Sequence, residues 1–212
     1  VKGKLLLTRA LRATVARVLP VIYRTRFSGT ENIPQGPAIL ASNHTSYLDP
    51  VLLWCGAPRP VHFMAKAELW EIPVLGWAID KLLAFPVKRG APDRTAIARA
   101  SSLLEAGELV GIFPEGTRTR TPDSDELGEA NEGAAFLALR TGTPVLPVGI
   151  SGTERVLPPG AKVPRFPRVK VRYGIPVYPD DFAESTRKQR VETMTAEIMA
   201  RIAKARTEAR GA

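Results

Sequence analysis

His44 stands five positions before Asp49 in Asn43-His44-Thr45-Ser46-Tyr47-Leu48-Asp49-Pro50. Imidazole can accept a proton from an alcohol near neutral pH. A carboxylate beside it can hold the ring in one tautomer and steady the cation that forms. With such a pair a substrate hydroxyl serves as the nucleophile, and no reactive serine or cysteine is required. The same residues also suit a structural role, since Asp49-Pro50 ahead of Val51-Leu52-Leu53-Trp54 makes a good helix start with Asp49 as its cap. Downstream, Gly111-Ile112-Phe113-Pro114-Glu115-Gly116-Thr117-Arg118 reads as the end of a buried strand entering a tight polar turn. Arg118 offers a planar fork of donors suited to phosphate. Glu115 can accept hydrogen bonds from substrate hydroxyls or hold Arg118.

Taken in order, Asn-His-x-Ser-x-x-Asp-Pro and Phe-Pro-Glu-Gly-Thr-Arg resemble the motifs of the 1-acylglycerol-3-phosphate O-acyltransferase (lysophosphatidic acid acyltransferase) family. Further matches are Phe63-Met64-Ala65-Lys66-Ala67-Glu68-Leu69, Lys88-Arg89-Gly90, Gly133-Ala134-Ala135 and Thr143-Pro144-Val145-Leu146-Pro147-Val148. The resemblance implies transfer of a fatty acyl group from acyl-CoA or acyl carrier protein to the free hydroxyl of lysophosphatidic acid. The product would be phosphatidic acid, and no cofactor beyond the donor is implied. His44 is then the general base and Asp49 its orienter. By the resemblance, Glu115, Gly116, Thr117 and Arg118 then form the glycerol-phosphate pocket, Arg89 contributes to it with Lys88 able to share or replace that role, and Lys66 sits near the catalytic centre, all seven as substrate-binding residues. Backbone N–H groups near Gly116 or Lys66 are both candidates for the oxyanion site. Glycerol 3-phosphate, another lysophospholipid or a glycolipid hydroxyl would use the same catalytic pair. The chain departs from the family pattern at Glu132-Gly133, where a lysine usually precedes the glycine.

The 212 residues include 30 Lys and Arg against 21 Asp and Glu, a net charge of +9. That excess suits an anionic partner: nucleic acid, acidic lipid or a phosphorylated substrate. The basic segments lack interleaved aromatics, which argues against nucleic acid. A non-catalytic basic membrane-binding protein is the alternative of another class. Hydrophobic residues make up 44%, enough for the core of one domain. One cysteine, Cys55, precludes an internal disulfide and, with two histidines, argues against a zinc site. No apolar run approaches the roughly 20 residues that cross a bilayer. Arginines interrupt the N-terminal apolar residues where a signal peptide would lie. The expected setting is the cytoplasmic face of the cell membrane, as a peripheral protein.

The elements that must position these residues alternate. Residues 5–23 carry Leu7, Leu11, Val15, Val18 and Ile22 at helical spacing, and seven cations precede the first acid, Glu31. This predicts an amphipathic helix on an anionic interface, with residues 1–26 a membrane-associating segment and 27–212 the acyltransferase domain. Strands are expected at 26–29, 37–42, 61–66, 85–88, 109–113, 145–150 and 169–173. Helices are expected from 49 and over 73–83, 93–106, 133–140 and 185–210. Alternation on this scale predicts a single α/β domain with a mixed, largely parallel sheet flanked by helices. The strand at 37–42 delivers His44 at its carboxyl end, where catalytic loops of α/β folds sit. Trp54, Leu69, Trp70, Leu75 and Trp77 are candidates for an acyl groove or for plain core. His62 opens an apolar strand with no charged sequence neighbour and reads as structural. Arg168, Lys170 and Arg172 alternate with apolar residues, placing three cations on one strand face.

Overall fold

A computed structural model of the chain describes residues 13–88, 93–118, 127–158, 160–161, 163–182 and 186–211. Among these, seven strands form one sheet in the order β1-β7-β6-β2-β5-β3-β4. The strands are β1 (Arg26–Ser28), β2 (Ala38–Ser42), β3 (Val61–Lys66), β4 (Phe85–Val87), β5 (Leu109–Ile112), β6 (Val145–Ser151) and β7 (Lys170–Tyr173). The helices are α1 (13–22), α2 (Asp49–Gly56), α3 (Pro73–Lys81), α4 (Arg94–Glu105), α5 (Gly133–Thr141) and α6 (Arg187–Gly211). β2 to β6 run parallel; β7 is antiparallel to β6 and parallel to β1. The expected mixed, largely parallel sheet is what forms, and element boundaries fall within about two residues of the sequence expectation.

Both faces of the central strands are covered, so they read as continuous apolar runs rather than alternating ones. All five residues of β2 and all seven of β6 are buried. Ile39, Val110, Ile112 and Val145 point to one face, where α4, α5 and α6 supply Leu104, Leu137, Met194 and Ile198. Leu40, Phe63, Leu109 and Leu146 point to the other, against Leu52, Leu53 and Trp54 of α2. Truncating one of these fully buried leucines to alanine should cost about 2–5 kcal/mol. Trp54 is therefore core, while Leu69, Trp70 and Leu75 are half-buried and Trp77 is exposed.

The expected N-terminal helix is described only from residue 13; its first part lies outside the described residues. Val15 and Leu19 pack against the α2-side core and Tyr23 is buried, so the segment shares the domain's core. Val18, Val21 and Ile22 are exposed. The cation face expected on β7 is partly covered by α6. Lys170 Nζ donates to the Arg210 carbonyl at 3.1 Å, and Arg172 Nε donates to Glu208 at 3.0 Å. A lysine there also suits the negative end of the helix dipole.

The position of the site follows from this topology. The chain leaves β2 through α2 on one face to reach β3 on one side. It returns from β5 through α5 on the opposite face to reach β6 on the other side. Outside the carboxyl end of β2 the connections diverge to opposite faces, the place where α/β sheets generally bind their ligands.

Candidate active site

The loop leaving β2 is pinned before it reaches His44. Asn43 is buried, and its side chain bonds β6 in both directions. Nδ2 donates to the Ile150 carbonyl at 3.0 Å, and Oδ1 accepts from the Ile150 N–H at 2.7 Å. One residue past His44, Thr45 Oγ1 meets Thr153 Oγ1 at 3.0 Å.

His44 Nδ1 lies 3.0 Å from Asp49 Oδ2. An ionised carboxylate only accepts, so Nδ1 carries the proton and Nε2 is left for an incoming hydroxyl. Asp49 is fully buried, and the same oxygen also accepts the Thr45 and Ser46 N–H groups, each at 2.7 Å. The capping role open to Asp49 in the sequence is not what it performs. It sits inside the first turn of α2 with Leu48 as the cap, and its carboxylate reaches back to the histidine loop. One face of the imidazole stacks on Phe113, with ring centroids 4.1 Å apart, and Phe113 in turn stacks on Phe63. Gly111 makes room for this column, because a Cβ there would overlap the Phe63 ring.

Phe113 begins the second motif. The Gly116 N–H donates to the Phe113 carbonyl at 2.9 Å, closing a turn with proline second and glycine fourth. Gly116 has φ +64°, a left-handed backbone that favours glycine, and a Cβ there would also push on the Asn131 side-chain amide 2.7 Å away. Glu115 is buried and points inward. Oε1 accepts the backbone N–H of His44 and Oε2 that of Gly128, each at 2.9 Å. The turn is thereby tied to the loop carrying His44 through a charge-assisted bond.

The expected cations separate by location. Arg118 is exposed and lies over the Tyr47 ring, 3.6 Å from its centroid, with Nη2 donating to Tyr47 Oη at 2.9 Å. The two motifs therefore meet through Arg118 and Tyr47 as well as through Glu115. Thr117 neighbours Arg118 and is exposed, with Oγ1 3.5 Å from the Arg118 carbonyl. Lys66 ends β3, two strands from β2 and about 10 Å away by strand spacing, and pairs with Glu68 at 3.2 Å. Lys88 follows β4, a further strand out; its N–H donates to Asp93, the cap of α4. Arg89 lies outside the described residues, as do residues 119–126 of the polar loop. Among the described residues no group of three or more His, Cys, Asp or Glu could hold a metal ion. Sequence reasoning missed Phe113 under the imidazole, Tyr47 under Arg118 and Thr153 beside Thr45. An aromatic inside the first motif and another at the head of the second were the only signals for them.

Comparison with known proteins places this geometry. Residues 24–151 match the family model described as Acyltransferase. The chain is 33% identical over 174 residues to the 1-acyl-sn-glycerol-3-phosphate acyltransferase of Bacillus subtilis, covering 81% of this chain and 83% of that protein. It is 35% identical over 144 residues to a chloroplastic 1-acyl-sn-glycerol-3-phosphate acyltransferase of Brassica napus, covering 66% of this chain. It spans only 41% of that plant protein's length. The crystal structure of the 1-acyl-sn-glycerophosphate acyltransferase of Thermotoga maritima superposes with a TM-score of 0.71 at 26% identity, covering 93% of this chain and 80% of that one. With its two motifs joined at the carboxyl edge of a largely parallel sheet, the chain belongs to the acyltransferase family that includes the 1-acyl-sn-glycerol-3-phosphate acyltransferases.

Proposed function

We propose that the chain transfers a fatty acyl group from a thioester donor, acyl-CoA or acyl carrier protein, to the free hydroxyl of 1-acylglycerol 3-phosphate, forming phosphatidic acid at an anionic membrane surface. The observation that carries this reading is the His44–Asp49 contact at 3.0 Å, with the Glu115 carboxylate tying the same loop to the Gly116-Thr117-Arg118 turn. The acceptor hydroxyl gives its proton to His44 Nε2 as its oxygen bonds the thioester carbon. The tetrahedral intermediate then expels the thiolate, which takes the proton from the imidazolium. Asp49 holds the ring and stabilises its cation. Arg118, with Thr117 and the backbone at Gly116, binds the acceptor phosphate. Lys66 and Lys88, at the ends of strands two and three places away, add only longer-range positive charge, and Arg89 follows Lys88 in the sequence. Glu115 acts through His44 and the turn, as a positioning residue. Holding both substrates in line contributes as much as basicity.

The test is a purified assay with palmitoyl and oleoyl thioesters against 1-acylglycerol 3-phosphate, glycerol 3-phosphate, a lysophospholipid lacking the phosphomonoester and a glycolipid. Wild type should prefer 1-acylglycerol 3-phosphate. His44→Ala should lower transfer by about 10³-fold while leaving the melting temperature and vesicle binding intact. Equal turnover by the two proteins would remove the general-base role. Preference for another acceptor would keep the chemistry and reassign the phosphate site.

A further inference from the structure

β1 and β7 run opposite to β2, so their first residues lie at the same sheet edge as His44. Ser151 at the end of β6 is in register with Lys170, and Lys170 with Arg26. The end of α1 and the β6–β7 connection therefore meet beside the catalytic loop. They are joined there by firm contacts. Tyr23 and Phe166 rings lie 5.7 Å apart, Arg24 Nη2 donates to the Phe166 carbonyl at 2.6 Å, and the Val169 N–H donates to the Tyr23 carbonyl at 3.1 Å. The Thr45–Thr153 contact at 3.0 Å links this corner to the loop carrying His44.

The outward side of this corner is unusual. Val18, Val21 and Ile22 from α1 and Leu157, Val163 and Phe166 from the connection are all exposed, Val21 and Val163 by 75% and 73%. Exposed arginines stand among them: Arg17, Arg24 and Arg26 on one side, Arg155, Arg165 and Arg168 on the other. No acidic residue occurs in the sequence from 1 to 30 or from 155 to 179; Glu154, just before the second stretch, is buried and lies 3.7 Å from Arg155 Nε, so it offsets that one arginine. Scattered exposed apolar residues are ordinary, but large aliphatic and aromatic side chains interleaved with an excess of exposed arginines are the composition of an interfacial lipid contact.

We propose that the β6–β7 connection is the second half of a membrane-docking face, and that with the end of α1 it seats this corner in the headgroup region of an anionic bilayer. This rests on the reading that the acceptor is a membrane lipid, and it adds Leu157, Val163, Phe166 and their neighbouring arginines, far in sequence from the N-terminal helix. The apolar side chains enter the acyl boundary and the arginines meet lipid phosphates. The catalytic loop is then held at the surface from which the acceptor hydroxyl is presented. A soluble acidic partner would match the arginines but would leave Val163 and Leu157 without apolar contact, so the bilayer is the better fit.

The full chain is tested by co-sedimentation with vesicles of phosphatidylcholine, with and without roughly one-third phosphatidylglycerol, an anionic fraction that draws on the surface-potential attraction of basic residues. The variant Leu157→Glu with Val163→Glu is compared with Ile175→Glu, an equally exposed apolar position after the other end of β7. Wild type should sediment with the anionic vesicles and release at high salt. The double variant should lose about tenfold or more in partitioning, and Ile175→Glu should match wild type. All three should melt alike and acylate detergent-dispersed acceptor alike. Undiminished sedimentation of the double variant, equal loss in Ile175→Glu, or indifference of wild type to phosphatidylglycerol would overturn the proposal. So would a double variant that keeps vesicle binding but loses binding to purified acyl carrier protein. Sedimentation needs no turnover, so failure of the acyl-transfer reading and failure of the docking face are separate results.

Discussion

The two histidines stand on the same sheet with the same side-chain exposure, 16% each, yet they occupy different chemical regions. His44 lies past the carboxyl end of β2, with a fully buried aspartate 3.0 Å from Nδ1 and a phenylalanine under its ring. His62 lies near the start of β3, at the opposite edge. Its nearest carboxylate, Glu108, is 3.9 Å from Nε2 and 40% exposed. Accessibility does not separate the imidazole proposed as the general base from the other one. A pre-organised partner, itself held by further donors, does. Asp49 has two backbone N–H groups in addition to the imidazole, so its position is fixed before substrate arrives.

The strongest way to break this comparison is to remove each carboxylate in turn. Asp49→Asn keeps the size of the side chain and an oxygen for the Thr45 and Ser46 amides, but it no longer fixes the tautomer or stabilises the imidazolium. It should lower kcat by about 10²- to 10⁴-fold. Glu108→Gln should leave kcat within about twofold, since an exposed pair contributes little. The comparison fails if both substitutions are equally mild, or if Asp49→Asn loses activity only by unfolding, as a melting curve would show.

A smaller effect separates proton transfer from acceptor binding on the same edge. Arg118 is exposed and held by Tyr47, whereas Glu115 is buried and bonded to backbone. Arg118→Ala should raise the acceptor KM by about 10- to 100-fold, the worth of one or two charge-assisted hydrogen bonds, with a lesser change in kcat. Tyr47→Ala should raise KM by about two- to fivefold through loss of the cation–π contact, and Tyr47→Phe should recover most of it. A fall in KM for Tyr47→Ala would reverse the assignment, making the tyrosine a competitor for Arg118.

These contacts also mark how far the sequence could be read. The motif spacing places His44 with Asp49, and unbroken apolar runs place the central strands β2, β5 and β6, because burial on both faces leaves that signature; β7 shows instead as an alternation of apolar and basic residues. Contacts made by register were not legible. Phe113 under His44 depends on β5 lying beside β2, and Glu115 meeting the His44 amide depends on the turn that follows it. His62 was read as having no charged neighbour. Glu108 is 46 positions away in the chain, and reaches it because Val61 pairs with Leu109. Alternation puts Arg168, Lys170 and Arg172 on one strand face, but it does not show that α6, distant in the chain, pairs with two of them.

The smallest expected effect sharpens the comparison through pH. Burial lowers the pKa of His62 below the usual imidazole value, Arg99 lowers it further, and Glu108 and the backbone at Leu83 raise it in part. As pH falls past about 6.5, the ordinary imidazole value, the unfolded chain takes up this proton before the folded one. The unfolded state then binds more protons, so this residue's contribution to stability is complete above that value and declines as pH drops toward the folded pKa. Melting temperatures of wild type should therefore fall between pH 7 and pH 5, conditions chosen to bracket that value, and His62→Gln should remove part of the fall while kcat at pH 7 stays the same. A His62→Gln protein with an unchanged melting profile would show that the β3 edge is solvated enough for this imidazole to titrate as in the unfolded chain. A loss of kcat would place His62, against its position at the far edge, in communication with the catalytic pair.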